Sequence, residues 1–392
     1  MSISITLLGA LALTTGVTIS SYLFGSHSQE YFIAIIVGIL LLAPRAVRTL
    51  SKRRGYAIVV IALIVAPILL WVLQSLFIER GPTELSSLAY SIALGVTVFG
   101  AIGVGSLPEA IFRKTMFIVA LSHIAISLFA LSDINAIILE AQISRFAGEG
   151  FRTAVWAEIA LGTVVGAVLS RNTLLILVSA LVGAFLIFIT QMRGAGISMF
   201  ILLAIYFWMT LGRFTLARWV IPVSLLLMFV FLSFNFSSVL NKFSSLLLLD
   251  DPHRGIASGL SGRFENLSNG MNAFLSSPII GVGVEDYAAD YTHNGIIKLL
   301  AQYGFVFFTA LIYIYIKSLV YSIRRLDAGI ISALISYALF ILTAPRYINL
   351  QIMPFLGIVA VAFAILSQVK NRATPYRSLP KRGFQSLRKW NR

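Results

Sequence analysis

Apolar runs about as long as a bilayer is thick recur along almost the whole chain, and this constrains the fold most. A helix needs roughly 20 mainly apolar residues to cross the hydrocarbon core. Such runs predict helices near 4–23, 30–50, 57–78, 87–106, 114–132, 153–170, 172–190, 195–212, 217–236, 294–316, 328–344 and 350–367. The expected fold is therefore an all-α polytopic membrane protein with about twelve transmembrane helices. The pair meeting at Ser170, Arg171 and Asn172 has a very short turn, and one long re-entrant element there would change the count. The first run lacks a basic leader and reads as a retained helix rather than a cleaved signal.

Composition supports a lipid solvent. Of 392 residues, 58% are hydrophobic and 11% charged, with a mean hydropathy of +0.92. Soluble domains carry about 25% charged residues. A soluble chain of this composition would have to display most of its apolar side chains to water. Cysteine is absent, which excludes disulfides, thiolate nucleophiles and Cys-based metal sites. With four histidines, His27, His123, His253 and His293, a multi-histidine metal site is not expected.

The net charge of +15 is clustered beside apolar runs, where it sets topology instead of binding nucleic acid. With the N-terminus in the cytoplasm, Arg45–Arg54, Arg113–Lys114, Arg213–Arg218, Lys317–Arg325 and the tail from Lys370 all fall inside. The expected organisation is one transmembrane domain over 1–369, an extracytoplasmic segment at 237–293 within it, and a basic cytoplasmic tail over 370–392. No Walker motif or nucleotide-binding strand–helix unit occurs.

The residues that carry chemistry gather on the expected outer side. Ser261 is placed to cap a short helix with Phe264, Leu267, Met271 and Phe274 on one face. Pro278 stops it, Gly281 and Gly283 turn the chain, and Tyr291-Thr292-His293-Asn294 enters the next long helix. His293 there either accepts a proton from a hydroxyl nucleophile or hydrogen-bonds a helix start. Asn294 either orients His293, binds a sugar hydroxyl or caps the helix. Arg145, Arg152, Arg254, Arg263 and Arg346 lie on the same side, against the topological bias. Guanidinium groups grip phosphate oxygens bidentately, so together they suit a diphosphate; singly, each could pair with an acid or snorkel. Arg171 reads as a packing or topological residue. Glu158 and His123, inside helices, are the features favouring a transporter.

Gly262-Arg263, Pro278, Gly281, Gly283, His293-Asn294, Leu300 and Gly304, in that order, resemble the shared region of the O-antigen ligase and O-antigen or exopolysaccharide polymerase superfamily. The Arg263-to-Leu267 element resembles an Arg-x-x-x-Leu feature of these proteins, many of which have tryptophan at the leucine. SRFAGEGFR, with Arg145, and LSRNTLLIL, with Asn172 replacing a usual glycine, are weaker matches that extend the likeness over 144–304. The resemblance implies a GT-C-like bundle and a metal-independent inverting glycosyltransferase without cofactors, on the outer face of a bacterial inner membrane. It implies a donor glycan on undecaprenyl diphosphate and a glycan acceptor. His293 is then the general base, Arg263 and Arg254 hold the diphosphate, and Arg145, Arg152, Arg346 and Asn294 assist. A polymerase, with a chain-length regulator as a plausible partner, is the expected activity. A ligase acting on lipid A-core is the alternative, and a transporter a more distant one.

Overall fold

The computed structural model describes residues 3–24, 29–52, 54–78, 85–132, 151–190, 193–210, 263–284, 292, 294–343 and 352–372. These residues form helices joined by turns. In order they are α1 (Ile3–Leu11), a π-helical segment (Ala12–Gly16), α2 (Val17–Phe24), α3 (Gln29–Ser51), α4 (Arg54–Phe77), α5 (Leu85–Gly105) and α6 (Glu109–Leu131). Then come α7 (Phe151–Ser170), α8 (Thr173–Thr190), α9 (Arg193–Thr210), α10 (Arg263–Ser276), α11 (Gly295–Arg325), α12 (Ala328–Thr343) and α13 (Ile352–Arg372). The expected helix near 217–236 and most of the segment 237–293 lie outside the described residues.

The expectation of about twelve spans in a GT-C-like bundle is not met. Among the described residues three helices are long and apolar enough to cross a membrane: Phe32–Ser51, Glu109–Phe129 and Gly295–Arg325. The other helices contribute shorter apolar stretches among the described residues, such as Val155–Ser170 and Ala328–Thr343. Hydropathy alone overcounts because apolar composition also serves burial in protein. In α7 every residue from Trp156 to Leu169 is buried, so this helix is packed all round by its neighbours.

Elsewhere the apolar surface faces outward. Leu40 is 66% exposed, Leu76 71%, Phe77 74% and Phe129 68%. Large exposed apolar surfaces of this kind mark contact with lipid or another protein. With the three long apolar helices, they make this a multi-pass membrane protein.

Around α7 the core is closed by α6, α8, α12 and α13. Close approach relies on small residues, as expected where lipid competes with side chains for apolar contact. Gly357 of α13 packs against the Tyr337 ring of α12, and a Cβ there would lie 2.5 Å from ring carbons.

One end of the bundle is tied by charge. Arg113 of α6 donates to Asp327 at 2.8 Å and to Glu109 at 3.3 Å, and also to the Leu169 carbonyl at 2.7 Å. Arg171, in the α7–α8 turn, pairs with Asp327 at 2.8 Å and Glu109 at 3.3 Å. The Arg113 guanidinium also lies beside the stacked rings of Phe112 and Phe363. Two acids and two arginines thus bind the start of α6, the α7–α8 turn and the α11–α12 turn. The α7–α8 turn is two residues long and joins two separate helices. Arg171 adopts a left-handed φ of 62°, and the Asn172 side chain caps α8 by accepting from Leu175 N–H at 2.9 Å. Left-handed backbone costs a non-glycine residue roughly 1–2 kcal/mol, which the two ion pairs help offset. The packing role expected for Arg171 is what its contacts provide.

Burial alone would raise the Asp327 pKa, but the Arg113 charge, the hydrogen bond and charge of Arg171, and the Ile330 N–H together hold it below the usual carboxylate range. A depressed native pKa means the carboxylate's contribution is complete above the unfolded value of about 3.9 and fades as pH falls through the lower native value. Asp327→Asn should therefore lower stability by roughly 3 kcal/mol at neutral pH, since it leaves Arg113 buried with a weaker partner. The loss should shrink as the wild type is acidified below about pH 4. Thermal unfolding of the detergent-purified protein across pH measures this, and identical midpoints at pH 7 would contradict it.

Candidate functional site

The glycines and proline of the expected motif form one interlocked hairpin. Helix α10 ends at Ser276 and the chain turns through Pro278. Gly281 and Gly283 follow with φ of 76° and 99°. Helix α11 then runs alongside but is broken at Gly304, where φ is 76° and ψ 176°. In an unbroken helix Phe305 N–H would donate to the Ala301 carbonyl. Here it donates to Pro278 O at 2.8 Å, and Ala301 O accepts instead from Val282 N–H at 2.7 Å. Gln302 O accepts from Gly283 N–H at 3.2 Å. The break frees carbonyls that the loop's own donors satisfy, so neither half is stable in this form without the other.

A buried side chain from a distant helix closes the arrangement. Gln74, in the last turn of α4, donates through Nε2 to Ile280 O and Gln302 O, each at 2.7 Å. The glycines are required by space as well as by φ. A Cβ on Gly281 would sit 2.5 Å from the Gln302 carbonyl carbon, and one on Gly304 would sit 2.8 Å from Gly281 N. The apolar side of the hairpin is Ala273, Val282 and Ala301, with Phe274 against them. Met271, expected on the same face as Phe274, is exposed, as are Leu275 and Ile279.

This scaffold fixes the chain on both sides of position 293. Thr292 is fully buried, and its hydroxyl donates to the Asn266 carbonyl of α10 at 3.2 Å. Gly270 makes room for that threonine. Asn294 is the N-cap of α11: Oδ1 accepts from Ile296 and Ile297 N–H at 3.0 and 3.1 Å. Its Nδ2 donates to the Leu342 carbonyl of α12 at 3.2 Å, bracing α11 against α12. Of the roles open to Asn294 in the sequence, the cap is the one its contacts display.

The other expected site residues are only partly visible. Arg263 is the first residue of α10 and Arg152 lies in the first turn of α7, without described side chains. His293, Arg254, Arg145 and Arg346 lie outside the described residues. Gln74 and Thr292 were not singled out in the sequence, because a lone glutamine in an apolar run and a threonine before the His-Asn pair carry no local signal. His123 is a satisfied core residue: Nδ1 donates to the Val119 carbonyl at 2.8 Å and Nε2 accepts from the Thr18 hydroxyl at 3.2 Å. Among the described residues no group of three His, Asp or Glu side chains could hold a metal ion.

A family model described as O-antigen ligase matches residues 177–313. Over that stretch the chain is similar to the O-antigen ligase family. The match encloses the whole hairpin and the break at Gly304, and begins within α8. No curated protein matches the chain. That match and the long apolar helices support a membrane enzyme of polysaccharide biosynthesis. The expectation of an inverting polymerase is corrected here, because the matching family is that of the ligases and favours the alternative reading.

If the carbonyl exchange holds the site, Gln74→Leu should cost about 1–3 kcal/mol by taking a donor from the Ile280 carbonyl and leaving the Gln302 carbonyl with the Gly283 N–H alone. Gly281→Ala should cost more, because it adds both a clash and left-handed strain. Amide exchange should then rise in 277–284 and 300–306 while α6 and α7 stay protected. Unchanged exchange in the hairpin of both variants would contradict the account.

Proposed function

We propose that the protein is an O-antigen ligase that transfers a glycan from undecaprenyl diphosphate to lipid A-core on the outer face of the bacterial inner membrane. The observation that carries this reading is the ligase family match over 177–313, which takes in the hairpin anchoring the residues beside His293. In the proposed reaction a hydroxyl of the acceptor attacks the anomeric carbon of the donor sugar. The bond from that carbon to the diphosphate oxygen breaks, and its electron pair leaves with undecaprenyl diphosphate. His293 takes the hydroxyl proton. Arg263 and Arg254 hold the diphosphate, with Arg145, Arg152 or Arg346 assisting, and neutralise charge as it grows on the leaving oxygen.

The sidedness belongs to the same proposal. The basic clusters Arg45–Lys52 and Arg325 share one end of the bundle, where the positive-inside bias puts cytoplasm. Helix α11 runs from that end to Asn294, so the start of α11 faces the opposite, outer side. Both termini are then cytoplasmic.

Deletion of the gene in its host should leave full-length polymer on the lipid carrier and unsubstituted lipid A-core. His293→Ala at matched membrane levels should reduce transfer by roughly 10²–10⁴-fold. Normal transfer by that variant would remove His293 from the mechanism. Accumulation of a single repeat on deletion would contradict the ligase reading itself.

A further inference from the structure

The end of the bundle away from Asn294 holds a cavity of about 370 Å³ that the glycan reaction does not use. Its wall carries four cations: Arg45 and Arg48 from the last turns of α3, Lys52 just after it, and Arg325 from the end of α11. Among the described residues Glu109 is the only acid on the wall. It is already engaged by Arg113 and Arg171, at 3.3 Å each. No carboxylate pairs with any of the four cations among the described residues. Arg325 rests on the Tyr321 ring, a contact that uses no acid. Positive charge held together in a cleft without a counter-charge is unfavourable unless an anion enters.

The cleft is organised before any anion arrives. Arg45 is half-buried and fixed by two hydrogen bonds, from Nε to the Ser106 hydroxyl at 3.0 Å and from Nη2 to the Ser106 carbonyl at 3.2 Å. Its position therefore costs no further side-chain ordering when a ligand binds.

A second observation identifies the kind of anion. Ile33, Ile36, Leu40, Pro44 and Val47 form an exposed stripe along α3, and the stripe ends at Arg48 on the cavity wall. Helix α3 contains one of the three long apolar segments, so an exposed stripe along it suits contact with acyl chains. Inside the cavity Leu107 and Phe363 continue the apolar surface. We infer that this cavity binds the phosphate of an anionic membrane phospholipid, with an acyl chain lying along the exposed face of α3. The shared chemistry is a phosphate anion. The adjoining acyl track favours a lipid over free phosphate.

Native mass spectrometry of the full chain in detergent tests this with phosphatidylglycerol, phosphatidylethanolamine and inorganic phosphate as probes. Wild type should retain one phosphatidylglycerol in preference to phosphatidylethanolamine. Arg48→Gln with Arg325→Gln should weaken that retention about tenfold or more, from the loss of two charges near the headgroup. Arg324→Gln, a neighbouring cation off the cavity wall, should leave it unchanged, and unaltered lipid-free melting would show that the double variant is folded. If the double variant does not fold, Lys52→Gln, fully on the surface, should still weaken retention severalfold by the same loss of charge. Equal retention by wild type and the folded variants would overturn the inference. Equal loss in Arg324→Gln would also overturn it, since diffuse surface charge would then be the cause. Displacement of the lipid by an equal concentration of inorganic phosphate would make free phosphate the ligand and overturn the lipid assignment.

Discussion

At Gly304 the backbone of α11 leaves helical geometry, and the hydrogen-bond ladder stops there. The Ala301 and Gln302 carbonyls, freed by that break, would be costly to bury unpaired. The Val282 and Gly283 N–H groups and the Gln74 amide take them up. The site depends on this exchange in three ways. It fixes the hairpin between α10 and α11. It sets the start of α11, where Asn294 caps the helix. It links both to α4, so that a reaction region made of loop and helix start is held by helices far away in sequence.

The two ends of the bundle are organised by different physics. At the end bearing Asn294, backbone groups and small polar side chains do the fixing, and hydrogen bonds brace α10, α11 and α12. At the other end charge does it. Arg113 and Arg171 share Asp327 and Glu109, and two turns and the start of α6 are locked together. A separate set of arginines and a lysine is left facing a cavity.

Part of this was legible in the sequence. The apolar runs placed most helices of the described region to within about five residues, although α11 runs on to Arg325, well past the expected end at 316, and Pro278, Gly281, Gly283 and Gly304 marked the hairpin. Their order also pointed to the superfamily. What stayed hidden was long-range. Asp327 and Arg113 are 214 positions apart, and Gln74 and Gln302 are 228 apart. No local pattern announces either pair. The number of spans was misread for a different reason: hydropathy does not distinguish a helix wrapped in protein, such as α7, from one wrapped in lipid. The choice of polymerase over ligase failed because the shared motif describes a scaffold common to both.

The most direct test of the ligase account is reconstitution of the purified protein in liposomes with an undecaprenyl-diphosphate-linked glycan and lipid A-core as the only substrates. The account predicts lipid A-core carrying the glycan, with undecaprenyl diphosphate released in equal amount. Glycan extended on its own carrier, with lipid A-core untouched, would contradict it.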